Sequence, residues 1–182
     1  MLVKNEADDL LESDKKKHRR GVGKILYMMR FSCPETVNAT RDLSKFMTCV
    51  SNKAHMKAIP EEMKFVVSTP QRGWKMKPNV SSDGNPEFEF VIEDYVDYGH
   101  ATDPDSRKNM SGYTVFLCGI PLSVKSGQQR IVATSVTEGQ RSSGTVCAQD
   151  MFYAMSIIES GNLEVKKPVD LTLENKGVVD LA

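Results

Sequence analysis

The sequence predicts an α/β fold in two parts, a mainly helical segment followed by a mixed sheet with helices. Two observations carry this reading. Apolar residues recur with a period near 3.6 as far as Val67, and with a period of 2 beyond Glu87. After that change the order is strands, then helix, strand and helix, which is an α/β order. Between the parts, Pro78 to Pro86 is rich in Ser, Asn, Gly and Pro and reads as a linker. The expected organisation is a charged linker at 1–20, a helical segment at 21–78 and a sheet-bearing domain at 86–182.

Residues 4–20 carry eleven charged side chains in seventeen positions and end in Lys15-Lys16-Lys17-His18-Arg19-Arg20, so they read as a solvated run. Val22, Ile25, Leu26 and Met29 then form one helical stripe. Ser32-Cys33-Pro34-Glu35 fits a capping box, with Ser32 as N-cap. Behind it Ala39, Leu43, Phe46, Met47 and Val50 share a face. A third stripe, Met56, Ile59, Met63, Val66 and Val67, is interrupted by Pro60, where a kink or break is expected because proline removes a hydrogen bond. Trp74, beside Met76, reads as a core residue, and Met151-Phe152-Tyr153-Ala154-Met155 as packing.

In the second part Phe88, Phe90 and Ile92 alternate along a strand that leads to Asp97. Tyr113 to Cys118 is a second strand, and Ile120 to Lys125 follows after Gly119. A helix is expected from about Ala148 to Ser160. Gly139, Ser142, Ser143 and Gly144 weaken its preceding turns, which sets its start near Cys147. Val169 to Glu174 reads as a further strand, and Asn175 as the opening of a last helix.

The formal net charge is zero, but 1–78 hold 16 Lys+Arg against 9 Asp+Glu, and 79–182 hold 8 against 15. A basic part beside an acidic part suggests a phosphate-facing surface followed by a carboxylate-rich module. No apolar run is long enough to span a bilayer, and the N-terminus lacks the pattern of a signal peptide. Cys33, Cys49, Cys118 and Cys147 form no Cys-x-x-Cys pair, so reduced thiols in an intracellular setting, cytoplasmic or nuclear, are expected.

One stretch is more specific. Asp97-Tyr98-Gly99-His100 leads through Asp103-Pro104-Asp105 to Ser111-Gly112-Tyr113, followed by Phe116-Leu117-Cys118-Gly119 and Ala133-Thr134-Ser135-Val136-Thr137-Glu138. These motifs resemble the ribonuclease H portion of copia-type LTR retrotransposon polyproteins. Gly21 to Arg30, with Arg41-Asp42-Leu43-Ser44, resembles the reverse-transcriptase thumb or connection region that follows the polymerase palm in the same family. Tyr95-Val96-Asp97-Tyr98 also looks like a polymerase Tyr-x-Asp-Asp turn with its last Asp replaced. A palm would need a large preceding sheet, whereas the segment before it is mainly helical.

The resemblance implies an incomplete ribonuclease H-like mixed sheet. It also implies an ancestral enzyme that cut the RNA strand of RNA–DNA hybrids with two Mg2+ ions held by carboxylates. The family's first carboxylate maps to Asp97, its second to Gln140 and its third to Glu174; the fourth would fall beyond Ala182. Asp97 and Glu174 are thus the expected metal ligands, and Asp97, Gln140 and Glu174 the degraded catalytic positions. Gln140 brings no charge. Glu138 lies two helical positions away, about 200° off in direction. The extra methylene of Glu174 displaces its carboxylate in a site that tolerates only about 0.5 Å of error.

His100 falls at an aromatic position of the family and is expected to pack. His55, in Ala54-His55-Met56-Lys57, is a candidate phosphate contact, with Lys15, Lys16, Lys17, Arg19 and Arg20 as the densest nucleic-acid-binding cluster. The expected function is that of a translated, catalytically inactive retrotransposon remnant. A weak two-metal ribonuclease H and a non-catalytic nucleic-acid-binding module are the competing readings. RNA–DNA hybrid or another nucleic acid is the expected partner. Self-association is also expected, through an exposed edge at Val169 to Glu174.

Overall fold

The computed structural model describes residues 11–47, 53–80, 82, 84–85, 87–99, 108–130 and 133–173. It divides into two compact units, Met1–Trp74 and Lys75–Ala182. Val50, His100, Glu174 and the helix expected from Asn175 lie outside the described residues.

The first unit is helical. Helix α1 spans Glu12–Phe31, so it begins within the charged run expected to be a linker. Lys17 pairs with Asp14 and Arg19 with Glu12, each at 2.8 Å. The first is an i, i+3 contact, of the kind that supports a polar helix start by roughly 0.2–0.5 kcal/mol, and the second reaches back two turns. The stripe behind it packs as expected: Val22 and Ile25 bury against Leu43 and Ile59, flanked by Leu26, Met47 and Met63. Gly21 makes the approach possible, since a Cβ there would lie 2.8 Å from Ile59 Cγ2.

Ser32 closes α1 instead of opening the next helix, and its backbone N–H reaches the Met28 carbonyl. A 3-10 turn, Pro34–Thr36, then leads into α2, Val37–Ser44. The third helix, α3, runs unbroken over Lys53–Ser68 with Pro60 inside it. Pro60 is exposed, so water can hydrate the carbonyl it leaves unserved.

The second unit is an α/β arrangement. Strands β1 (Glu89–Phe90), β2 (Ile92–Gly99), β3 (Met110–Leu117) and β4 (Ile120–Gln128) precede helix α4 (Val136–Ser160) and strand β5 (Glu164–Val165). β2, β3 and β4 form an antiparallel sheet in that order, while β1 pairs in parallel with β5. The β3–β4 hairpin turns on Cys118 and Gly119, both at positive φ (49° and 77°), as a two-residue turn of matching twist requires. Pro121 lies in β4, an edge strand of its sheet, where a missing donor is tolerated.

The core joins one face of the sheet to α4: Ile92, Val96, Tyr113 and Val115 against Cys147, Met151 and Ile158. Phe152 and Tyr153, expected to pack, are instead exposed.

Two sequence expectations fail here for tertiary reasons. The helix expected from Ala148 begins at Val136, with Ser135 as N-cap accepting from the Glu138 N–H at 3.1 Å. The expected strand Val169 to Glu174 is not a strand over its described residues. Leu173 makes a single parallel bridge to Val96, and Asp94 receives the Thr172 N–H, so the segment is tied to β2 through one side chain and one bridge.

Candidate functional site

Alternation along β2 decides which side chains meet α4. Ile92, Asp94 and Val96 are buried, whereas Glu93, Tyr95 and Asp97 are exposed on the other face. Asp97, the mapped first carboxylate, is therefore a solvent-facing side chain whose Oδ1 accepts the Tyr98 N–H at 2.7 Å.

Its neighbour Tyr98 points the other way. A Cβ built on Gly139 overlaps Cζ, Cε2 and the hydroxyl of Tyr98, so that ring occupies the space beside the helix that any larger residue would need. Burial, then the charge of Glu138, pushes the Tyr98 phenol above its ordinary pKa.

Gln140, the second mapped position, is buried on α4 directly after Gly139. Glu138 is consumed by the helix start. Its carboxylate accepts from the Thr134 N–H at 2.7 Å and the Thr134 hydroxyl at 2.9 Å, and those bonds hold it below the usual carboxylate range.

The small polar residues thought to weaken this helix form a buried network. The Ser111 and Ser143 hydroxyls are 2.6 Å apart. Gln129 Nε2 donates to Ser111 Oγ and to the Gly139 carbonyl, each at 2.8 Å. Such a network ties β3 to the first turns of α4 while satisfying most of its own polar atoms.

Two further acidic residues, Asp94 and Asp150, were not singled out in the sequence. Asp94 is 2% exposed, accepts the Thr172 N–H at 3.0 Å, and has Cys147 Sγ at 3.8 Å. Burial raises its pKa, opposed by the Thr172 and Cys147 bonds. Burial, then the Asp94 charge, pushes the Cys147 thiol up to about 12, so it stays a protonated, inert packing group. The signal was legible, because Asp94 shares the period-2 face of Ile92 and Val96.

Asp150 accepts from Tyr113 Oη at 2.8 Å, Ser123 Oγ at 3.0 Å and Lys125 Nζ at 2.9 Å. Burial pushes its pKa up, but the bonds from Lys125, Tyr113 and Ser123 outweigh this and hold the carboxyl below its ordinary value. Both acids cross-link secondary structure.

Of the expected phosphate contacts, Lys16, Lys17, Arg19 and Arg20 are exposed on α1 and Lys15 is half-buried. His55 cannot serve. It is fully buried and stacked on Phe46, with ring centroids 3.8 Å apart, because it faces the interior side of α3 beside Ile59. Among the described residues, no three His, Cys, Asp or Glu side chains are grouped to hold a metal ion, and no helix is long and apolar enough to cross a membrane.

Comparison with known proteins gives the lineage. Over 169 residues, 93% of the chain, it is 26% identical to the retrovirus-related Pol polyprotein from transposon RE1 of Arabidopsis thaliana, of which 11% is covered. It is 24% identical over 161 residues, 88% of the chain, to the Pol polyprotein from transposon TNT 1-94 of Nicotiana tabacum, again covering 11%. Over 121 residues, 65% of the chain, it is 31% identical to the secreted RxLR effector protein 161 of Plasmopara viticola, of which 78% is covered. No family model and no solved structure matches. These similarities make the chain a relative of copia-type, retrovirus-related Pol polyproteins from transposons. It spans about a tenth of the length of the polyproteins it matches.

Proposed function

We propose that the second unit descends from a ribonuclease H-like domain and no longer cleaves RNA–DNA hybrids. The observation that carries this is the Tyr98–Gly139 contact beside buried Gln140: where the resemblance calls for an acid on the helix, the chain has an uncharged amide and a tyrosine ring against the adjoining turn.

The described residues do not fit a two-metal site. Hard dications need several anionic oxygens converging on one point. Here Asp97 faces solvent on the side of β2 away from α4, Gln140 is neutral, and Glu138 is engaged with Thr134. No catalytic step through a metal follows from that donor set. What the chain retains is the scaffold, held by the Asp94, Asp150 and Gln129 cross-links.

The test is a gel assay with a labelled RNA–DNA hybrid in Mg2+ and in Mn2+. No cleavage above background is expected. Metal-dependent cuts that vanish in Asp97→Asn would overturn the proposal.

A further inference from the structure

We propose that Thr69 is a phosphorylation site for a proline-directed serine/threonine kinase that also reads a cation three residues on. Thr69-Pro70-Gln71-Arg72 stands where α3 ends at Ser68. Thr69-Pro70 is the only Ser-Pro or Thr-Pro step in the 182 residues, so the chain offers such an enzyme a single site. From Thr69 to Val80 the backbone is neither helix nor strand, and Pro70, Gln71, Arg72 and Gly73 are exposed. A kinase must lay the residues around the acceptor out in its cleft. A surface segment with few backbone bonds to lose opens for this at small cost.

Two residues select the enzyme. Pro70 has no N–H, so it suits a cleft that offers no acceptor there, whereas any other residue would bury an unpaired donor. Arg72 supplies a permanent positive charge for an acidic group of the kinase. In the transfer, Thr69 Oγ1 attacks the γ-phosphorus of Mg-ATP and its proton passes to the kinase's catalytic carboxylate. The new O–P bond forms, the bond to the β-phosphate oxygen breaks, and ADP leaves.

The fold also provides for the product. Thr69 Oγ1 donates to the Phe65 carbonyl at 2.8 Å, and the Arg72 N–H closes a turn onto the Thr69 carbonyl at 3.0 Å. The Arg72 guanidinium lies over the Phe65 ring, 5.8 Å from its centroid. Thr69 and Arg72 thus both meet Phe65, which puts Arg72 within side-chain reach of a phosphate on Thr69. The ester oxygen can no longer donate to Phe65. The added negative charge stands at the carbonyl end of α3, whose last turn carries no cation. Phosphorylation therefore exchanges a helix-end bond for a phosphate–Arg72 pair. It loosens the last turn of α3 and fixes the turn that follows. The site lies in the first unit and stands whichever way the hybrid-cleavage assay falls.

The test incubates the full chain with Mg-ATP and a cyclin-dependent kinase and maps the product by mass spectrometry. Phosphate at Thr69 is expected, with Ser68 unmodified because no proline follows it. Thr69→Ala should abolish that product. Thr69→Ser should keep it, and serves where the alanine change disturbs the helix end. Pro70→Ala should slow transfer at least about 10-fold, the order set by one buried unpaired donor. Arg72→Gln should slow it about 3-fold, as the loss of an exposed ion pair allows.

Phosphorus NMR of the product reads the pairing. The second pKa of the phosphate should lie below its ordinary value of about 6, and Arg72→Gln should return it there. Three results would overturn the proposal: no phosphate at Thr69, a rate indifferent to Pro70, or a phosphate pKa indifferent to Arg72.

Discussion

Gly139→Ala is the substitution that most sharply separates local propensity from tertiary packing in this chain. In an unobstructed helix interior, Gly to Ala stabilises by about 1 kcal/mol. At Gly139 the added Cβ overlaps three atoms of the Tyr98 ring, and Tyr98 sits on a strand whose backbone is paired with Ser111. The ring cannot retreat without disturbing that ladder. Overpacking of this kind costs about 1–3 kcal/mol, so the net effect in the native background is a loss of up to about 2 kcal/mol. In a Tyr98→Ala background the obstruction is gone, and the same substitution should stabilise by about 1 kcal/mol. The two positions should therefore couple by about 1–3 kcal/mol in a double-mutant cycle. Because the chain has two units, a single global unfolding energy is not the right readout. Amide hydrogen exchange at Val115 and Cys147, in the core of the second unit, reads that unit alone. Equal stabilisation by Gly139→Ala in both backgrounds would show that Tyr98 does not fill the space, and would remove the main support for a closed ancestral site.

Two further outcomes follow from buried and paired charges. Both nitrogens of His18 are buried without a partner among the described residues, and burial, then neighbouring His55, lowers its pKa from the ordinary 6.5. The unfolded chain thus binds the proton more readily, so stability of the first unit should fall as pH drops below about 6.5, by up to about 1.4 kcal/mol per pH unit until the lowered native pKa is reached. Urea unfolding followed by Trp74 fluorescence at pH 7.5, 6.5 and 5.5 checks this, and His18→Leu should flatten the trend; a midpoint independent of pH across that range would refute it. Asp150→Asn weakens three hydrogen bonds to a charged acceptor, and should cost about 2 kcal/mol at pH 7. Because the native pKa is depressed, that stability is present above about pH 3.8 and lost as pH falls through the lowered native value, so the difference in exchange at Val115 between wild type and variant should shrink as the pH is taken below 3.8. Indistinguishable exchange at pH 7 would sink the assignment.

The sequence by itself determined the α/β class and the lineage. It also determined the stripe of Val22 and Ile25 that anchors α1, because hydrophobic period is a local property that burial then obeys. The β2 alternation even placed Asp94 inward, although Asp97 drew attention as the motif residue. Tertiary structure decided the rest. The turns before Cys147 are helical despite Gly139, Ser143 and Gly144. Small residues let Tyr98, Leu171 and Leu173 approach there, and Ser143 joins a buried network with Ser111 and Gln129. Their low propensity is a cost of about 1 kcal/mol per glycine, which close packing offsets and a local reading counts alone. Ser32 became a C-cap because α1 runs two residues further than its stripe. Pro60 stays within α3 because it faces water. His55 was drawn inside by Phe46. For Gly139 and Ser143 the deciding partners, Tyr98 and Ser111, lie more than thirty residues away in the chain, and for Pro60 the partner is solvent, where no sequence window reaches.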